Sequence, residues 1–545
     1  MAEEEHNMND YEEICAGFTI EVPEYYNFAY DVIDTWAEKD PAHPAMLRVD
    51  QQGHKETFTF RDMTDLSTQA GVLLAAYGIQ KGDRVVLLLP RVAEWWIFCL
   101  ACIRLGAVFS PCTSMLTPGD LRYRINTAEI KAVITDRENA HKIDEIMDNC
   151  PTLRVRCLTD GELPGWISYQ KEKGLHLPAR RQYHHKTRSD DPMVIYFTSG
   201  TTGKPKMVLH THALAPGHIT TGKYWLDIRR DDLHFTLSDT GWAKSSYGNL
   251  FGPWLMGACT FIYDIRGKFR PADIPPILEK YKVTTFCAPP TAYRMLMHEN
   301  LKNYDYSKLR YCTSAGEPLN PEAMRIWKEA TGLEIHEGYG QTETPLCIAS
   351  FPCFEVRAGS MGKPAPGWQI ELHDDDGKPV EIRKEGRIAI GLDPRPVGLF
   401  TEYLDNPDAN RAAFVSGWYY TGDLAYIDED GYYWFVGRED DVITSSGYRI
   451  GPFEVESALL EHPAVRESAV VGLPDETRGE LVTAFVVLSP GLKPSDTLAG
   501  ELQEHVKQTT APYKYPRRVE FVDSLPKTIS GKIRRHLLRE EGSCS

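Results

Sequence analysis

"MVIYFTSGTTGKPK" (193–206) runs five apolar residues straight into nine positions that hold two glycines, one proline, four hydroxyl side chains and two lysines. The apolar run reads as a buried strand and the remainder as the loop it delivers. Gly200 and Gly203 let backbone N–H groups approach an anion, Thr198, Ser199, Thr201 and Thr202 add hydroxyl donors, and Lys204 and Lys206 add charge. A Walker loop would need Gly at 198 and Ser or Thr at 205, so Thr198 and Pro205 exclude it. A loop rich in Gly, Ser and Thr is more often a plain connection. Delivered by a strand and carrying two lysines, this one is too specific for that reading.

Working outward, short apolar runs recur as strand candidates: "RVVLLL" (84–89), "AVIT" (132–135), "ACTFIY" (258–263) and "VTTFCAP" (283–289). Helical patterns lie between them, at 62–77 and 271–282 for example, and this alternation predicts mainly parallel sheets in an α/β body. Residues 360–440 are crowded with turn signals ("DDDGK", "DNPD", "DEDGYY"), which predicts short antiparallel strands or a small distorted β-barrel. Beyond "GREDD" the pattern changes again, to a helix at 452–461, strands at 465–472 and 481–488, a helix at 495–509 and a strand near 518–522. We therefore expect a large N-terminal domain, 1–439, and a small α+β domain of about one hundred residues, 440–545, with the boundary at Asp440.

The 545 residues exceed what one hydrophobic core holds, and 42% hydrophobic with 25% charged residues is globular composition. A net charge of −17 argues against nonspecific binding to nucleic acid or anionic membrane. Residues 511–545 run the other way, with eight Lys or Arg against four Asp or Glu. The start, "MAEEEHNMNDYEE", lacks a basic and then apolar leader pattern. "WWIFCLACIRLGAVF" (95–109) is interrupted by Arg104 and falls short of the ~20 apolar residues of a membrane span, so it reads as a buried helix. Its CxxC pair, Cys99 and Cys102, has no second pair and reads as core. Twelve scattered cysteines fit a reducing compartment, and cytoplasm is the expectation.

"TSGTTGKPK" is similar to the signature loop of the adenylate-forming enzymes, the superfamily of acyl-CoA synthetases, luciferases and peptide-synthetase adenylation domains. "GYGQTET" (338–344), "YYTGDLAYIDEDGYYWFVGREDD" (419–441), "SSGYRIGPFEVE" (445–456) and "LPKTISGKIRR" (525–535) resemble that superfamily's later motifs, in order. "SDTGWAKSSYG" and "APYKYPR" most resemble medium-chain acyl-CoA synthetases.

That resemblance implies an ATP-dependent acid:CoA ligase working through acyl-AMP, with ATP, Mg²⁺ and coenzyme A as cofactors and a small carboxylic acid as substrate. It implies that the 198–206 loop holds the pyrophosphate end of ATP. Asp423, assisted by Arg438, would bind the ribose, a task that suits a carboxylate as two-site acceptor. Tyr339 would stack on adenine beside Gly316, Glu317 and Pro318, with Glu337, Gly338, Gly340 and Gln341 completing the nucleotide site. Thr342 would contact the α-phosphate and Glu343 would ligate the metal. Lys532 would bridge substrate carboxylate and α-phosphate, offsetting the repulsion of two anions.

For the second step the resemblance implies rotation about Asp440, bringing Ser446, Gly447, Tyr448 and Arg449 to the thiol channel, with Arg478, Lys514 and Arg517 meeting the CoA phosphates. Trp242, Lys244, Tyr247 and Cys287 would face the acid, and Lys244 and Cys287 would lie close together at the pocket floor. Apolar walls discriminate by only ~1 to 3 kcal/mol per methylene, so short to medium, branched or cyclic acids are expected. The alternative is an adenylase that delivers to a carrier protein or another acceptor. A homo-oligomer is left open.

Overall fold

The computed structural model describes residues 6–173, 186–198, 205–475, 477–528 and 532–543. Three sheets organise it. A fourteen-stranded sheet and an eight-stranded sheet share the first 440 residues, and a five-stranded sheet occupies the C-terminal part.

Both large sheets have parallel centres. In the first, strands Pro44–Asp50, Cys259–Asp264, Leu233–Thr236, Thr285–Ala288, Tyr311–Ala315 and Ile335–Tyr339 run parallel in that spatial order. In the second, Pro192–Phe197, Val108–Cys112, Arg84–Leu88, Ala132–Thr135, Val155–Leu158 and Ile167–Ser168 do the same. Their residues are largely apolar and mostly buried, as strands covered on both faces must be. One hydrophobic cluster joins the sheets through helix Ala93–Leu105, almost every residue of which is buried.

That helix corrects the reading of 95–109 as one helical run. Gly106, at φ +67°, caps it in the left-handed conformation, and Val108–Cys112 continues as a strand. Arg104 stays inside because Asp34 receives both its terminal nitrogens, at 2.9 and 2.6 Å, and Ser67 accepts from Nε at 2.9 Å. Cys99 and Cys102 are buried within it, and burial pushes the Cys102 thiol up to about 12.

Residues 360–438 form antiparallel strands, as their turn chemistry predicts, and these continue the parallel half of the fourteen-stranded sheet edge to edge. The join runs through Ile348–Ala349 and Ser360–Pro364. It is tight at Gly362, where φ is +93° and a Cβ would fall 2.0 Å from the Ala349 backbone. The C-terminal sheet holds Ile443–Ser445, Tyr448–Ile450, Val465–Asp475, Gly479–Leu488 and Arg518–Phe521, packed by helices Pro452–Leu460 and Asp496–Thr509. No helix among the described residues is long and apolar enough to cross a membrane.

Candidate active site

Parallel sheets present their ligand-binding loops at the carboxyl ends of their strands, and many of the residues singled out before position 345 lie there. Tyr311–Ala315 leads into Gly316, Glu317 and Pro318; Ile335–Tyr339 leads into Gly340–Glu343; Thr285–Ala288 carries Cys287; and Leu233–Thr236 precedes Trp242 and Lys244. Strand Pro192–Phe197 opens the glycine-rich loop, whose base is closed by Thr198 N–H donating to the Lys206 carbonyl at 3.0 Å. Ser199, Gly200, Thr201, Thr202, Gly203 and Lys204 lie outside the described residues.

The centre of the site is a hydrogen-bonded chain. Tyr339 Oη and Gln341 Nε2 both donate to Asp423 Oδ2, at 2.6 and 2.7 Å, and Tyr419 Oη donates to Gln341 Oε1 at 2.9 Å. Asp423 faces Arg438 across the antiparallel pair that carries them. Burial pushes the Asp423 carboxyl above its ordinary range, while the Tyr339 bond and the Arg438 charge pull it back. Tyr339 is thus tied by its hydroxyl to the carboxylate expected to take ribose.

A second chain holds Glu343, whose Oε1 accepts from Tyr403 Oη at 2.8 Å. Lys206 Nζ sits 4.2 Å from the centre of the Tyr403 ring and bears electrostatically on Glu343. Burial raises the Glu343 carboxyl. The Thr342 carbonyl takes the Nε2 proton of His210 at 2.7 Å, and burial lowers that imidazole to about 4, so it works as a neutral donor. A magnesium ion usually takes one or two carboxylates and completes its shell with water and phosphate oxygens. Glu343 fits that role, and the described residues contain no cluster of three or more metal-ligating side chains.

Glu337 ties two segments of the site together. Its Oε1 accepts the Leu319 N–H at 2.8 Å, joining its own strand to the segment after Pro318, while Oε2 is buried with no partner, and burial pushes the carboxyl up to about 8. The side chain braces strand Ile335–Tyr339 against the segment after Pro318.

Among the residues expected to face the acid, Lys244 Nζ donates to the Ala315 carbonyl at 2.8 Å. Burial lowers its pKa, and the charges bearing on it are those of Cys287, Glu317 and Lys532. Cys287 is fully buried and also bears on the Tyr247 hydroxyl. Trp242 is half-buried at the start of helix Ala243–Ser246. Burial pushes Glu317 up, but Arg294 at 3.2 Å and a short bond from Thr291 outweigh it and hold the carboxyl below its usual range.

Lys532 is exposed, and its charge bears on Glu317 and Asp423 as well as on Lys244. The residues expected to meet CoA are engaged with neighbours of their own. Ser446 and Gly447 take positive φ in the hairpin that ends at Tyr448, and Ser446 N–H donates to the Arg478 carbonyl at 2.8 Å. Tyr448 stacks on Tyr513, with ring centres 4.4 Å apart. Arg449 faces Glu385 at 3.8 Å, Lys514 pairs with Glu454, and Arg517 lies over the Tyr515 ring at 3.9 Å. Much of the basic tail is thus neutralised locally. Tyr403, Tyr419, His210, Thr291 and Arg294 hold the site together, and the sequence reading missed them.

The chain belongs to the AMP-binding enzyme family: that family's profile matches residues 33–404, and its C-terminal domain matches 454–532. It is similar to acyl-coenzyme A synthetase ACSM3, mitochondrial, of Mus musculus, with 45% identity over 98% of this chain and 94% of that protein. ACSM4, mitochondrial, of Rattus norvegicus is 46% identical over 95% of this chain and 91% of its own. Both names place those relatives in the mitochondrion, unlike the cytoplasm expected here. Among solved structures, the anthranilate CoA ligase AuaEII with anthranoyl-AMP superimposes with a TM-score of 0.88 at 31% identity, covering 96% of this chain and 98% of that one. An acyl-CoA synthetase of Brucella canis gives 0.75 at 36%, covering 98% and 99%.

Proposed function

We propose that this chain is an AMP-forming acid:CoA ligase acting on short to medium, branched or cyclic carboxylic acids. The observation that carries the reading is the convergence of Asp423, Tyr339, Gln341, Thr342 and Glu343 on one cleft that the Lys532 charge reaches. In the first step a carboxylate oxygen of the acid attacks the α-phosphorus of ATP and the bond to the β-phosphate bridge breaks. Acyl-AMP and pyrophosphate result. Lys532 sits between the two anions, Asp423 and Arg438 fix the ribose, and Tyr339 and the 316–318 segment seat the base. Magnesium held by Glu343 would neutralise charge on the phosphates. In the second step the CoA sulfur attacks the acyl carbon, AMP leaves, and the thiol proton passes to solvent.

The division at Asp440 and rotation of residues 440–545 about it are part of this proposal. The pairing of Arg449 and Lys514 with Glu385 and Glu454 supports it, since a surface that waits for phosphates in another pose stores its cations against local carboxylates. Lys244 and Cys287 flank the acid, and Trp242 limits depth. For the compartment, the named relatives favour the mitochondrion. A carrier-protein adenylase has no observation of its own in its favour.

A panel of short, medium, branched, cyclic and aromatic acids, assayed for AMP with and without CoA, tests the reading; release of ADP and phosphate without AMP overturns it. Lys532→Ala should abolish acid-dependent pyrophosphate exchange yet spare thioester formation from supplied acyl-AMP. Equal loss of both contradicts its assignment.

A further inference from the structure

Two arginines of the last helix, Arg535–Ser543, reach back to the joint at Asp440. A terminal nitrogen of Arg539 donates to the Asp440 carbonyl at 3.2 Å and to the Asp441 carboxylate at 2.7 Å. Arg535 grips Glu456 with 2.7 and 2.8 Å bonds to its two oxygens and stands 3.8 Å from the other Asp441 oxygen. Glu456 is fixed in turn by the Val470 N–H at 2.8 Å, and both it and Asp441 are buried. On the upstream side the Asp440 carboxylate meets Arg438 at 3.3 Å, and the Arg438 carbonyl accepts the N–H groups of Asp441 and Val442 at 2.9 and 3.1 Å.

The carbonyl of residue 440 and the Cα of residue 441 belong to one planar peptide unit. A side chain that holds that carbonyl and the next carboxylate together ties the whole unit to its own helix. The soft torsions left are φ and ψ of Asp440. The same helix begins three residues after Lys532, so the pivot and the lysine are parts of one braced piece.

We propose that Arg539, seconded by Arg535, is a positioning residue for adenylation: it locks the peptide downstream of Asp440 to the helix behind Lys532, so that the turn is confined to one residue and the lysine arrives in register. This rests on the reading that residues beyond Asp440 rotate about it. The lock travels with the C-terminal part and asks nothing of either substrate.

The test uses the full chain and measures the half-reactions apart. Arg539→Ala should lower kcat for acid-dependent pyrophosphate exchange roughly ten- to hundredfold, the cost of a misplaced catalytic group. KM for ATP and acid should stay put, thioester formation from supplied acyl-AMP should change little, and Arg539→Lys should restore part of the loss. Asp441→Ala should behave alike, and the double variant should be no slower than the slower single, because both remove one contact. Losses that multiply in the double variant, a KM that climbs as kcat drops, or equal damage to both half-reactions would overturn the proposal. Should Arg539→Ala fail to fold, Asp441→Asn carries the same comparison. Asp440→Pro separates this idea from the one beneath it. Unchanged thioester formation in that variant removes the pivot itself, whereas a trapped adenylation pose with multiplying losses at 539 and 441 removes only the lock.

Discussion

Asp423 takes two donors on one oxygen, Oδ2, from Tyr339 at the end of strand Ile335–Tyr339 and from Gln341 in the loop after it, 84 and 82 positions earlier. A hydrogen bond to a charged group is worth about 1.5–3 kcal/mol, so Gln341→Leu should raise KM for ATP roughly ten- to hundredfold and leave KM for the acid alone. Initial-rate kinetics with each substrate varied decides this; parallel rises in both constants would mean a general loosening of the cleft. Asp423, Glu343 and Lys532 could be singled out as candidates from the sequence because each sits in a motif whose order along the chain carries the resemblance. Tyr403, Tyr419, Thr291, Arg294 and His210 were not, because each works on a partner brought near only by folding. Tyr403 lies 60 positions from Glu343, and His210 lies 132 from Thr342. Nothing in "TEYL" marks its tyrosine as the hydrogen-bond partner of Glu343.

Elements were more legible than contacts where burial on both faces writes a continuous apolar run. "AVIT" is the strand Ala132–Thr135, and "MVIYF" lies within Pro192–Phe197. The helix expected at 62–77 is Phe60–Ala76, its start set by a capping box between Thr59 and Asp62. The run 95–109 misled because helix and strand there are equally apolar, and one glycine's backbone decides where the first stops. Gly362 makes a sharper point about a single element. Gly362→Ala would add left-handed strain of about 1–3 kcal/mol and drive a methyl group into the Ala349 backbone. Gly359 has a similar φ, +86°, but its Cβ would meet only Trp434, at 3.8 Å. Urea midpoints should therefore fall much further for Gly362→Ala than for Gly359→Ala, and equal falls would show that strain alone matters at this join.

Over the whole molecule, stability should peak near neutral pH. Burial lowers His210 and His212 to about 4, and His218, His234 and His336 to about 3. Between those values and the ordinary 6.5 the unfolded chain binds more protons than the folded one, so acidification through that window removes stability. Glu337 acts in the opposite sense. Its carboxyl is raised from 4.5 to about 8, so between those values the folded chain holds an extra proton, and the stability this gives below 4.5 is lost as pH climbs from there through 8. Glu337→Gln should remove that opposing slope, so that the melting temperature rises more steeply with pH between about 4.5 and 8 and is unchanged in slope above it. An unaltered slope in that window would relieve Glu337 of that part.

The stitching of parallel to antiparallel strands through Ile348–Ala349 and Ser360–Pro364 also bears on how this polypeptide can be divided in the laboratory. A break between them would bare two raw margins, each inviting a stranger's strand, so fragments severed there should precipitate. Shears applied after Arg438, where the long sheet has taken its last strand, would leave the larger piece with a finished border.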